Sequence, residues 1–175
     1  MSEETTEEAT GGMKEVDPNN LVTIKELYDK LSDGMTTVSE VSGISHEELE
    51  AVYSLAYDYY RTGRTDEAET LFKFLTTFDH LNEKYWMGMA AVLQVKKNYK
   101  RAAEAYALVS GTFNLKNVRA PYYAAECFLA LGDRKNALSA LGHVKEYADV
   151  KTEEGRTYKA KAIRLEKLIT ERKGA

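Results

Sequence analysis

Three tyrosines at helical spacing form the clearest chemical pattern in this sequence. Tyr53, Tyr57 and Tyr60 recur at i, i+4 and i+7, a spacing that places their side chains on one face of a helix. A tyrosine ring offers a flat apolar area with a hydroxyl end and few rotatable bonds, so it binds a partner at low entropic cost. The pattern predicts a surface that recognises an extended peptide with proline and leucine side chains.

The residue types that catalyse reactions or bind metals are scattered along the chain. His46, His80 and His143 show no metal-ligand spacing, and we interpret them as solvated or capping residues. Cys127 lies in an apolar helical run, where a buried small hydrophobe is expected rather than a nucleophile. The glutamates within 47–50 sit at a predicted helix N-terminus and favour the helix dipole. We expect no catalysis, no metal and no cofactor.

The composition narrows the class of partner. The chain has 175 residues and a net charge of −4, and residues 1–20 hold six acidic residues against one lysine. The remainder is therefore nearly neutral and lacks the basic cluster of a nucleic-acid-binding protein. The single cysteine excludes an internal disulfide and fits a reducing compartment. Neither a signal peptide nor a bilayer-length apolar stretch is apparent, so we expect a soluble cytoplasmic protein without membrane insertion, or one exported without a cleaved signal.

An internal repeat predicts the helices that position the tyrosines. The segment at 63–72 is echoed at 97–106 and again at 132–141. These steps match the tetratricopeptide period of about 34 residues, in which paired helices cross at small residues. The small residues are Ala56 and Ala68, Ala90 and Ala102, and Ala125 and Ala137, and the bulky partners are Phe72, Tyr106 and Leu141. We predict an all-α superhelical solenoid of three tandem tetratricopeptide repeats.

Turn and cap residues support this alignment. Gly63 and Gly132 stand where a left-handed turn joins the helices of a pair, and Lys97 replaces glycine in the middle repeat. Ser45 and Glu48 have the spacing of a capping box at the start of the first repeat.

The chain is predicted to have four parts. Residues 1–18 read as a disordered acidic tail, and 19–45 as an N-terminal helical segment. The three repeats occupy 46–149, and a capping helix fills 150–175, because an uncapped solenoid end exposes its core.

Each leading helix, the first of its pair, is predicted to have a core stripe and a groove stripe. In the first repeat Val52, Leu55, Ala56 and Tyr59 form the core stripe, and the three tyrosines face the concave surface. The same register gives Lys84, Met87, Ala91, Gln94 and Val95 in the second repeat and, with a one-residue offset, Arg119, Tyr122, Glu126 and Leu129 in the third. The alternative is that the tyrosines pack against the N-terminal helices.

Three stretches of the chain resemble a known family. Residues 52–94, 119–133 and the lead-in at 24–44 are similar to the class II chaperones of bacterial type III secretion systems, which serve pore-forming translocator proteins. The resemblance implies a chaperone of the bacterial cytoplasm that holds an extended client segment, typically Pro-x-Leu-x-x-Pro, in its concave groove. Such binding prevents premature aggregation or membrane insertion of a hydrophobic client and needs no ATP.

The resemblance also implies further partners. The N-terminal helices of the family often form a homodimer, for which Ile24, Leu27, Tyr28 and Leu31 are the candidate contacts, and some relatives activate a transcriptional regulator. Two other functions remain open: a generic tetratricopeptide adaptor for a C-terminal tail, and a protein that binds a regulator. The adaptor would need basic groove residues to hold a carboxylate, and only Lys84 and Arg119 fit.

Overall fold

The computed structural model describes residues 29, 32, 34 and 36–171, and its described part is built from α-helices. The proposed dimer contacts Ile24, Leu27, Tyr28 and Leu31, and most of the predicted N-terminal helix, lie outside these residues. In chain order the helices are α1 (Val38–Ser42), α2 (His46–Arg61), α3 (Thr65–Phe78), α4 (Glu83–Val95), α5 (Tyr99–Leu108), α6 (Arg119–Ala130), α7 (Arg134–Tyr147) and α8 (Glu153–Glu171).

Helices α2 to α7 form three antiparallel pairs that stack side by side, which confirms the predicted repeat fold. The six alanines that the repeat places at helix crossings are completely buried. The bulky partners on the second helix of each pair, Phe72, Tyr106 and Leu141, are buried beside them. Small residues at the crossings let the helix backbones approach closely, and the larger side chains fill the space that remains.

The turns inside the three pairs are built in the same way. Gly63, Lys97 and Gly132 have positive φ angles of 79°, 61° and 76°. In each turn the next residue donates its backbone N–H to a carbonyl five residues back, as in Arg64 to Tyr59 and Asn98 to Leu93. This is the hydrogen bond that closes a Schellman motif. The repeat register therefore identified the turn correctly even where lysine stands in place of glycine.

Two capping boxes start the described part of the fold. Ser45 accepts a hydrogen bond from the Glu48 backbone, and the Glu48 carboxylate accepts one from the Ser45 N–H, as predicted. A second box, between Thr37 and Glu40, begins α1 and was not anticipated. Helix α1 ends at Ser42, and Gly43 forms its left-handed C-cap at φ 70°.

One residue of the predicted core stripe is wrongly placed. Ala56 is fully buried, and Val52 and Tyr59 are half-buried, but Leu55 is 45% exposed. Periodicity assigns a residue to a face without showing whether a helix covers that face. Helix α1 packs against α3, so the described residues place no helix pair ahead of α2.

A π-helical turn at Val109–Phe113 extends α5 and was not predicted. Its first two residues, Val109 and Ser110, are buried against the repeats. The hydroxyl of Ser110 donates to the carbonyl of Tyr106, which satisfies the buried polar atom within the turn.

Helix α8 covers the end of the third repeat, as predicted. Ala162 and Ile169 are buried, and Tyr158 and Leu165 are half-buried on the same face. The guanidinium of Arg134 donates to the Ile169 carbonyl at 2.6 Å, and the Lys145 ammonium pairs with Glu166. These contacts fix the orientation of α8 relative to α7.

Gly88 provides the closest approach between the first two repeats. A β-carbon at this position would lie 2.1 to 2.7 Å from three ring atoms of Phe72, a buried side chain, so the ring or the helix would have to shift. We expect Gly88→Ala to lower the free energy of unfolding by about 1–3 kcal/mol through overpacking. Denaturant titration followed by circular dichroism measures this change.

Gly142→Ala is the matched control, because a β-carbon there meets nothing within 4 Å in the middle of α7. It should raise the free energy of unfolding by about 0.5–1 kcal/mol. Equal effects of the two substitutions would contradict the close packing of Gly88 on Phe72.

Lys97 is strained by its left-handed backbone at φ 61°. Lys97→Gly removes the cost of the left-handed conformation, but glycine also has more conformational freedom to lose when the chain folds. The net effect should be a rise in the free energy of unfolding of up to about 1 kcal/mol. Lys97→Ala removes the same side chain but keeps the strain, so the thermal midpoint should rise only for the glycine variant. A rise of similar size in both would show that the side chain and not the backbone is responsible.

Candidate functional site

The leading helices and α8 surround a cavity of about 540 Å³, which we call the groove. Nine of the twelve predicted groove residues line it: Tyr53, Tyr57, Tyr60, Lys84, Met87, Ala91, Gln94, Val95 and Arg119. Phe72, Gly88, Tyr106, Tyr123 and Tyr158 also line it and were not predicted. The repeat register therefore brought residues from three leading helices to one surface.

The three tyrosines of α2 form a continuous aromatic wall. The rings of Tyr53 and Tyr57 are stacked, with centroids 6.2 Å apart and an interplanar angle of 13°. The Tyr57 and Tyr60 rings are 6.3 Å apart. Tyr53 also packs its ring edge-on against Phe72 of α3, which joins the wall to the core. Tyr57 is 45% exposed, so it retains apolar surface that a ligand can cover.

The alternative position for these tyrosines was against the N-terminal helices. Of that segment the structure describes α1 and a few residues before it, and α1 packs on α3 rather than on the tyrosine wall. Among the described residues, no helix of the N-terminal segment covers the tyrosine wall.

Opposite the wall the groove has small, flexible and polar side chains. Met87 and Ala91 of α4 leave space for a bulky ligand side chain, and a methionine adapts to irregular shapes. At the floor Tyr106 donates its hydroxyl proton to Gln94 Oε1 at 2.9 Å, and Gln94 Nε2 donates to Glu126 at 3.3 Å. Burial, with smaller contributions from nearby acidic groups, raises the pKa of Tyr106 far above its usual value, so its hydroxyl remains a donor.

Two predicted residues of the third repeat lie next to the lining and not in it. Tyr122 faces the ring of Tyr158 at 5.4 Å, and its neighbour Tyr123 takes the lining position. Glu126 lies behind the lining as the acceptor for Gln94. Tyr123 is equivalent to Gly88 of the second repeat, 35 residues earlier, which also lines the groove. Leu129 lies in a separate cavity with Leu165 and Ile169.

Helix α8 contributes to the groove through Tyr158. Its hydroxyl is 3.0 Å from that of Tyr123, and the two rings meet edge to face at 6.1 Å. Sequence reasoning assigned α8 to capping alone and missed this residue. The signal was present, because Tyr158 follows Tyr123 by one repeat period.

Two cations lie beside the aromatic surface, each near the N-terminal end of its helix. The Lys84 ammonium lies 3.8 Å from the centroid of the Tyr53 ring and pairs with Glu50. The hydrogen bond from Lys84 holds the pKa of Glu50 below its usual value. Arg119 pairs with Glu154 of α8 at 3.5 Å. The groove therefore combines an apolar wall with two cations that each have an acidic neighbour.

The residues that could act as nucleophiles or ligands are placed elsewhere. Cys127 is fully buried in α6, and burial, with a smaller contribution from Glu126, raises the pKa of its thiol to about 11. His80 and His143 lie within hydrogen-bond distance of the backbone carbonyls of Gly34 and Leu115. Within residues 36–171 and the few described before them, no three side chains of histidine, cysteine, aspartate or glutamate form a metal-binding group. No helix in that part is long and apolar enough to cross a bilayer.

The chain is similar in sequence to a family of repeat proteins and to a bacterial chaperone. The tetratricopeptide-repeat family model matches residues 49–82 and 84–109. The chaperone protein SicA of Salmonella typhimurium is 36% identical over 120 residues, which cover 69% of this chain and 72% of SicA.

Two solved complexes are similar in sequence and in fold. The structure of PcrH with the chaperone-binding region of PopD has a TM-score of 0.70 at 30% identity, covering 75% of this chain and 97% of PcrH. The Yersinia enterocolitica chaperone SycD with a peptide of the translocator YopD has a TM-score of 0.69 at 28% identity, covering 74% and 98%. A further SycD structure shows an alternative dimer.

The burial of Cys127 gives a direct test of the fold around the groove. Its thiol, with a pKa raised from 9.0 to about 11, should react with Ellman's reagent at pH 8 at least about 100-fold more slowly in the native protein than in guanidinium chloride. The unfolded thiol ionises at a lower pH than the buried one. The stability that the buried thiol contributes is therefore complete below about pH 9 and is lost as the pH rises towards about 11. Equal reaction rates in the two states would contradict the described packing of α6.

Proposed function

The chain belongs to the family of type III secretion translocator chaperones, and on that basis we propose that it binds an extended segment of a translocator protein in its groove before export. The observation that supports this most is the tyrosine wall of Tyr53, Tyr57 and Tyr60 opposite Met87 and Ala91. The relatives PcrH and SycD bind translocator segments. The predicted groove residues other than Leu129 are proposed as the client contacts, with Tyr122 and Glu126 acting from beside the lining.

An extended apolar segment fits the chemistry of the groove. Proline and leucine side chains of the client would lie flat on the tyrosine rings and fill the space above Ala91, where burial of apolar surface supplies the affinity. The floor hydroxyls and amides, such as Gln94 and Tyr106, already bond to each other, so a client side chain leaves few buried polar groups unpaired. The groove therefore favours apolar anchors over polar ones.

The rigidity of the wall lowers the entropic cost of binding. Tyr53 is fixed by Phe72 and by the ring of Tyr85, with centroids 5.9 Å apart in both contacts. Side chains that are already ordered lose little freedom when a ligand arrives. Binding of the client segment in the groove is then enough to shield it from aggregation or membrane insertion. This action requires neither ATP nor catalysis. We place this activity in the bacterial cytoplasm, where the client is made.

A homodimer through Ile24, Leu27, Tyr28 and Leu31 is also part of the proposal. The dimer of SycD supports it. A transcriptional-regulator partner stays a prediction of the family resemblance. Sedimentation velocity tests this proposal. We expect a dimer for the full chain and a monomer for a Leu27→Asp/Leu31→Asp variant. Equal sedimentation of the two would contradict these contacts.

The generic adaptor is the alternative function. Its ligand would present a terminal carboxylate to Lys84 and Arg119, the two cations that line the groove, so its affinity would depend on a free C-terminus. A peptide that binds equally well with a free and with an amidated C-terminus would exclude the adaptor function.

Tyr57→Ala is the sharpest test of the groove. Tyr57 is 45% exposed, so its truncation costs little stability, while the loss of a central aromatic anchor should weaken client binding at least about tenfold. The probe is a fluorescein-labelled, C-terminally amidated peptide with the core Pro-Ala-Leu-Ala-Ala-Pro, followed by fluorescence anisotropy. Tyr147→Ala is the matched control, because Tyr147 is 37% exposed but stacks on His143 away from the groove. Unchanged affinity in the Tyr57 variant, or an equal loss in both, would refute the assignment of the groove.

A further inference from the structure

Four charged residues occupy equivalent positions in successive repeats and α8. Glu50, Lys84, Arg119 and Glu154 follow one another at the repeat period, the same steps of 34 and 35 residues that separate the buried alanines. They lie near the N-terminal ends of α2, α4, α6 and α8. Together they form a line of charges along one edge of the groove, in the order negative, positive, positive, negative, which we call the charge ladder.

The outer members of the charge ladder are satisfied within the protein. Glu50 accepts a hydrogen bond from Lys84 and another from the Tyr85 hydroxyl at 3.2 Å. Glu154 pairs with Arg119 at 3.5 Å through one guanidinium nitrogen. Each ion pair joins a central cation to the outer acid beside it, so the two cations are left next to each other in the ladder.

The two central cations face the same space. Lys84 and Arg119 both line the groove, with side chains 44% and 51% exposed. Burial raises the pKa of Tyr53, and Lys84 and then Arg119 act in the opposite direction, so both charges reach the phenol from their separate helices. The N-termini of α4 and α6 are tied together by a hydrogen bond from Asn117 Nδ2 to Glu83 Oε1 at 2.5 Å.

Glu83 is the remaining acidic group at this edge. Its carboxylate is held by Asn117, and none of the ion pairs recorded among the described residues joins it to Lys84 or Arg119. Arg119 uses one of its five N–H donors on Glu154, so it keeps donors for a ligand. Two like charges beside an apolar groove repel each other, and a negative group between them removes that repulsion.

We infer that the junction between Lys84 and Arg119 binds an acidic side chain of the client segment, so that the groove selects a carboxylate at a fixed distance from the apolar anchors. This inference rests on the proposed function and adds to it a charge requirement in the client. Because both cations are at the exposed rim, the preference contributes specificity and orientation more than affinity.

A positional scan tests the inference. The probe is the amidated Pro-Ala-Leu-Ala-Ala-Pro peptide with alanine and serine flanks, in which each non-anchor position in turn carries aspartate, asparagine or lysine. Anisotropy titration of the full chain should find one position where aspartate binds about fivefold more tightly than lysine, with asparagine between them. The preference should shrink as NaCl is raised from about 50 to about 500 mM, because exposed charges are screened.

Substitutions on the protein identify the site. Lys84→Gln combined with Arg119→Gln should lower the ratio of the affinities for the aspartate and lysine peptides, both measured on this variant, from about fivefold to about one. Lys96→Gln is the matched control, since Lys96 pairs with Asp66 and Glu69 outside the groove. Glu154→Gln, which frees Arg119, should raise the affinity for the aspartate peptide about twofold, a gain that damage to the fold would not produce.

Each contrary result has a distinct meaning. If the unsubstituted peptide binds but no position prefers aspartate over lysine, the inference is wrong and the groove assignment stands. If no peptide of the panel binds, the proposed function fails and the inference fails with it. The other carboxylates that could bind between Lys84 and Arg119 are those of the six acidic residues of 1–20. If those occupy the junction, replacing them with their amides raises the affinity for every peptide equally and no position prefers aspartate, which overturns the assignment to the client.

Discussion

The close approach of paired helices at alanine is the constraint on which the rest of the structure depends. The repeat places Ala56 and Ala68 at the crossing of the first pair, and equivalent alanines at Ala90 and Ala102 and again in the third repeat. Each of these alanines has no exposed surface. A larger side chain at any of these positions would separate the helices, and an interior packed to crystal density has no slack to absorb that change. The spacing of the leading helices, and hence the width of the groove, follows from this contact.

The second helix of each pair supplies bulky core residues, and the first leading helix presents aromatic rings to the groove. Phe72 and Tyr106 show how the core and the groove are joined: the first supports the ring of Tyr53, and the second reaches the groove floor and bonds to Gln94. A ligand on this surface meets side chains that are already fixed by the fold. Pre-organisation of this kind is what lets a short extended segment bind without large ordering costs.

The sequence predicted the parts of the structure that depend on a repeated small residue and missed those that depend on what lies next to a helix. The alanine register located every helix pair and brought nine groove residues together, and it identified the turn at Lys97 despite the missing glycine. Leu55 was misplaced because periodicity does not reveal whether a neighbour covers a face. Tyr123 was missed because its equivalent in the second repeat is Gly88, which has no side chain to mark the position as part of the groove. Tyr158 was missed because α8 was considered only as a cap. The charge ladder becomes visible only when α8 is aligned with the repeats.

The central claim is that an extended client segment lies on the tyrosine wall. Photo-crosslinking measures this directly: p-benzoylphenylalanine is placed at Tyr57 in one variant and at Tyr147 in another, both exposed positions, and each is irradiated with the Pro-Ala-Leu-Ala-Ala-Pro peptide. The account predicts a covalent adduct at position 57, competed by excess unlabelled peptide, and none at position 147. An adduct at 147, or none at 57 while the peptide remains bound, would contradict it.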